Sequence, residues 1–102
     1  MNIQQIMQQA QQFQQRLAAA QEELAGRTVT STVGGGMVSA TVNGRYELVE
    51  LRIDREVIRP DDADMLRDLV MAAVNDGLRK AQEMARAEMA KLTGGVSIPG
   101  LF

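Results

Sequence analysis

The residues able to do chemistry in this chain are few in kind. It holds no His and no Cys. Imidazole acid–base catalysis, thiolate nucleophiles, disulfides and the usual zinc ligand sets are therefore absent from its repertoire. Ser31, Ser39 and Ser97 have no His to activate them and no nucleophile-elbow pattern around them. Gly34-Gly35-Gly36 invites a phosphate-loop reading. It lacks the Lys and Ser/Thr that follow such a loop and it joins two β-branched runs, so it reads as a plain connection. The carboxylates Asp61, Asp62, Asp64 and Asp68 lack the alternating ligands and sharp central Gly of a calcium loop, and the positive end of a helix dipole accounts for most of them. No reaction, metal or cofactor follows from these residues, and the chain reads as a non-enzyme.

What remains is cationic chemistry. Eleven basic residues stand against thirteen acidic ones over 102 residues, a net charge of -2, which excludes coating of nucleic acid by bulk charge. The distribution is uneven. Residues 54–76 carry a net charge of -4, whereas residues 77–102 carry Arg79, Lys80, Arg86 and Lys91 against Glu83 and Glu88, a net +2. Two readings of that basic segment stand side by side. Arg79/Glu83 at i,i+4 and Glu88/Lys91 at i,i+3 have the spacing of ordinary helix-surface pairs, and the same segment has the charge of an anion-binding tip. The three aromatics, Phe13, Tyr46 and Phe102, are too few for a base-stacking platform.

The elements that must position these cations are legible from period. Ile3, Ile6, Ala10, Phe13, Leu17, Ala20 and Leu24 recur at alternating steps of 3 and 4, a three-heptad seam with Gln between, and eight of the first fifteen residues are Gln. This predicts a helix over 1–25, ended by Gly26 as a C-terminal cap. Residues 28–53 switch to strand character. Thr28–Val33, Met37–Val42 and Arg45–Ile53 form a three-stranded antiparallel meander, with Asn43-Gly44 as a hairpin turn because both residues tolerate positive φ. Val49, Leu51 and Ile53 point one way, toward a covering helix, and Glu50 and Arg52 the other. Pro60 and Asp61 then open a helix that runs to Leu92, continuous through Asn75-Asp76-Gly77. A helix over 61–92 is too long for a three-stranded sheet, so its distal half must project or pair. The tail, 93–102, reads as flexible. The fold class is α+β in one domain. Its seam and overlong helix leave apolar surface that one chain of this size cannot bury, which predicts a dimer. The longest apolar run, Leu69 to Val74, is far short of a bilayer span, and no secretory signal opens the chain.

Helix, meander and long helix meet recognisable residues at this point. Met7-Gln8-Gln9-Ala10-Gln11, the hairpin Met37-Val38-Ser39-Ala40-Thr41-Val42-Asn43-Gly44, Ile53-Asp54, and Leu66-Arg67-Asp68-Leu69-Val70 leading into Ala72-Ala73-Val74-Asn75-Asp76 resemble the YbaB/EbfC family of bacterial nucleoid-associated proteins. The resemblance spans essentially the whole chain. It implies a cytoplasmic, nucleoid-associated homodimer joined through its sheet regions, with helical arms around duplex DNA and no catalysis. On charge and that picture, the candidate contacts are Arg16, Arg27, Arg79, Lys80, Arg86 and Lys91, acting on phosphates with little sequence selectivity. The alternative is a dimeric scaffold whose arms dock replication or recombination proteins. Neither reading involves a membrane or a cofactor.

Overall fold

A computed structural model describes residues 2–93; the expected tail beyond Thr93 lies outside the described residues. Helix α1 (Ile3–Gly26) leads into strands β1 (Thr28–Val33), β2 (Val38–Asn43) and β3 (Leu48–Ile53), and helix α2 (Ala63–Leu92) follows. The strands form one antiparallel sheet in the order β1-β2-β3. Asn2 starts α1, its side chain accepting from the Gln5 backbone N–H at 2.8 Å. The sharp stop expected from Gly26 works differently. Gly26 is the last helical residue, and Arg27 turns the chain into extended backbone while its N–H closes on the Leu24 carbonyl.

Alternation gives the sheet one apolar face. Val38, Ala40 and Val42 are fully buried, and Ser31 sits among them. Helix α2 lies across β1 and β2, where Val38, Ala40 and Ala73 form a core joined by Val33, Ile53, Leu66, Leu69, Val70 and Val74. Gly77 sets the closeness of that crossing: a Cβ there would stand 2.9 Å from Val42 Cγ2. The helix passes through Gly77 without a break, as its apolar period requires. Its start differs from expectation, because Pro60–Asp62 form a 3-10 turn and no side chain caps the first turn of α2.

The hairpin and β3 depart from the simple alternation. Gly44 is not among the glycines with positive φ; Tyr46 takes that conformation at 64°. The Tyr46 N–H donates to the Asn43 carbonyl and the Asn43 N–H to that of Glu47, so the turn is a three-residue loop closed by a left-handed residue. Gly44 is required for another reason. Its N–H donates to the Leu24 carbonyl at 3.0 Å, and a Cβ would lie 2.2 Å from that oxygen. In β3 the register slips by one: Thr41 faces Glu50, yet Val42 faces Leu48, leaving Val49 as the extra residue of a bulge. Ile53 packs into the core as expected. Leu51 does not. It lies opposite Ala40 on the inner face, but α2 stops short of β3 and leaves Leu51 38% exposed beside exposed Leu48 and Val49.

The distal part of α2 pairs with α1. Ala20 and Leu24 cluster with Met84 and Met89, flanked by Leu17, Val29, Ala85 and Leu92. The first half of the seam meets nothing comparable: Ile3 is 75% and Ile6 50% exposed. The molecule is 70 Å long, against about 45 Å for α2 alone, because α1 continues past the end of α2 as a projecting arm.

Candidate functional site

The expected cations separate into two groups. Four are already paired. Arg79 reaches Asp76 at 2.6 Å and Glu83 at 2.8 Å; Lys80 lies 3.7 Å from Asp76 and donates to the Thr30 carbonyl at 3.3 Å. Arg27 and Lys91 converge on Glu88, at 3.1 and 3.3 Å, and that carboxylate is only 11% exposed. The surface-pair spacing read from the sequence is therefore realised in space. These contacts are weak individually, but each must be loosened before its cation can meet a phosphate. Arg16 on α1 and Arg86 on α2 are exposed and, among the described residues, form no ion pair.

Asp76 is the hub of the paired group. The Ser31 hydroxyl donates to its Oδ2 at 2.5 Å, and Arg79 donates to its Oδ1 from Nε and Nη2. The Ser31 and Arg79 hydrogen bonds hold the carboxyl below its usual range, with the charges of Arg79 and Lys80 adding to the effect. The Asp76 carboxylate in turn raises the Arg79 guanidinium above its ordinary value. The hub ties α2 to β1 through Ser31–Asp76 and Lys80–Thr30.

Arg86 belongs to a different setting. Where α1, the β2–β3 hairpin and α2 meet, a groove of about 550 Å³ is lined by Gln21 and Leu24, by Gly44, Arg45 and Tyr46, and by Gln82, Ala85, Arg86 and Met89. The sequence reading missed Arg45, because a count over residues 28–53 balances Arg45 and Arg52 against Glu47 and Glu50. In space the Glu47 carboxylate accepts from the Asn43 side-chain amide, and Arg45 forms no ion pair among the described residues. The missed signal is the Asn-Gly dipeptide itself, which places the next two residues at a loop tip. Among the described residues no three carboxylates converge on a common point, and no helix is long and apolar enough to cross a membrane.

Comparison with known proteins matches this chain on sequence and on fold. The sequence profile of the YbaB/EbfC DNA-binding family fits residues 1–96. A nucleoid-associated protein of Syntrophobacter fumaroxidans is 56% identical over 95 residues, covering 93% of this chain and 86% of its own. One from a Thermoanaerobacter species is 55% identical over 101 residues, covering 99% and 91%. The crystal structure of an uncharacterized protein from Helicobacter pylori superposes with a TM-score of 0.81 at 28% identity, over 91% of this chain and 98% of the other.

Proposed function

This chain belongs to the YbaB/EbfC DNA-binding family, and we propose on that footing that residues 1–102 act as one domain that grips duplex DNA as a homodimer. The observation that carries the reading is the arm. Helix α1 runs on beyond α2 and carries the exposed Arg16. Binding is through phosphates and is weakly selective, because the candidate cations of α1 and α2 sit on helix faces and a single aromatic, Tyr46, lies beside Arg45 and Arg86. Dimerisation has its own support. Leu48, Val49 and Leu51 are exposed on β3, and a second copy would remove that apolar surface from water. The exposed Ile3, Ile6 and Met7 favour a second reading in part: a partner helix seated on the arm, as a docking scaffold would require.

The test is fluorescence anisotropy with duplexes of unrelated sequence across a salt series. About 4–6 phosphates neutralised per dimer give a slope of log K against log salt of about -4 to -5. Affinity should be clear at low salt, weak near physiological salt and similar between sequences. A folded dimer that binds no duplex at low salt would end the DNA reading and leave the docking scaffold.

A further inference from the structure

We infer that the groove between α1, the β2–β3 hairpin and α2 holds one phosphodiester group of the duplex backbone, clamped between Arg45 and Arg86. The inference rests on the DNA reading and locates its contact. In a chain of net charge -2, this concavity is lined by two arginines, two glutamines and a tyrosine, with no carboxylate. Both arginines are exposed, and neither has an acidic partner among the described residues. That sets them apart from Arg27, Arg79, Lys80 and Lys91, which each hold at least one. Guanidinium groups suit phosphate because their planar donors engage two oxygens at once. Gln21, Gln82 and the Tyr46 hydroxyl add neutral donors on the same walls.

The fold builds the clamp deliberately. Arg45 is set at the loop tip by three bonds on Asn43: its own N–H and that of Glu47 donate to the Asn43 side-chain oxygen, at 2.9 and 3.1 Å, and the Asn43 amide holds Glu47 at 2.9 Å. The last bond turns the neighbouring carboxylate onto Asn43. Gly44 then docks the loop on the Leu24 carbonyl, fixing the distance between the hairpin wall and the helical arm. The apolar floor of Leu24, Ala85 and Met89 lowers the local polarity, which strengthens a charge-assisted contact above it.

The experiment compares the wild-type protein, Arg45→Gln/Arg86→Gln and Arg59→Gln/Arg67→Gln by anisotropy on one duplex across salt. The second double variant removes the same charge away from the groove, and thermal melting checks that all three are folded. Losing one phosphate per protomer should flatten the salt slope of the groove variant by about 2 per dimer and weaken binding on the order of tenfold at low salt. The control variant should stay within about twofold of wild type, because it leaves the phosphate contacts in place. Equal weakening of both variants would mean bulk charge and overturn the clamp, as would a groove variant that binds like wild type. Either result leaves DNA binding itself standing, whereas a wild-type protein that binds no duplex removes both. Inorganic pyrophosphate that saturates Arg45 and Arg86 without displacing the duplex would also overturn the inference, assigning the groove to a small phosphate ligand.

Discussion

The Ser31 hydroxyl on β1 donates to the Asp76 carboxylate on α2 at 2.5 Å, across 45 positions of chain. Ser31 is fully buried on a strand face otherwise given to aliphatic contact, so its hydroxyl needs this partner. The Asp76 carboxyl is held below its ordinary value, first by Ser31 and then by Arg79. A lowered folded-state value means that the carboxylate stabilises the fold above the ordinary carboxylate range, and that this contribution disappears as the pH falls through that range and below. Urea midpoints measured from neutral pH into acid should drop for wild type. Asp76→Asn should start lower and drop less steeply. Parallel curves for the two proteins would show that the hub does not couple stability to pH.

Gly44 and Gly26 offer opposite outcomes from the same substitution. Gly44→Ala drives a methyl to 2.2 Å from the Leu24 carbonyl, an overpacking that should cost about 1–3 kcal/mol or more. Gly26→Ala meets nothing within 4 Å at a helical position and should gain about 0.5–1 kcal/mol. Calorimetric melts that failed to move in opposite directions would contradict the docking of the hairpin on α1.

Leu51→Arg tests the uncovered part of the sheet. Leu51 sits where α2 does not reach, so the protomer should tolerate the change while a β3-mediated dimer should not. Light scattering should return twice the 11.1 kDa chain mass for wild type and a single chain for the variant. A wild-type protein that is monomeric at micromolar concentration would remove the dimer from the proposal.

Glu88→Gln tests whether pairing holds cations back from DNA. Glu88 engages both Arg27 and Lys91, and its neutralisation frees one positive charge at the sheet end of α1 and one on α2. Duplex affinity at low salt should rise a few-fold, with a steeper salt slope. Unchanged affinity and slope would place those two residues outside the contact surface.

Much of this architecture is written in local pattern. The steps of 3 and 4 give α1, the β-branched runs give β1 and β2, and the apolar stripe carries α2 through Gly77. The points that escaped depend on where elements sit in space. Alternation puts Leu51 on the inner face, but only the placement of α2 over β1 and β2 decides that it stays exposed. The Asn-Gly signal marks the hairpin correctly, yet Gly44 serves a close approach to Leu24, a residue 20 positions away, and the positive φ falls on Tyr46. Charge summed along the chain could pick out Arg86 in the basic stretch that begins at Gly77. It could not pick out Arg45, whose acidic neighbour is turned aside by a side-chain bond to Asn43.

The outer half of α1 is a helix that almost no packing supports. Between the Asn2 cap and the first buried seam residue, Ala20, it relies on glutamine's conformational preference, which is marginal in water for a segment of this length. Amide hydrogens of residues 6–15 should therefore exchange with solvent orders of magnitude faster than those near Leu24, in the manner of an independently opening unit. An arm held this lightly would give up part of its binding free energy to ordering, and would follow the contour of whatever surface it meets.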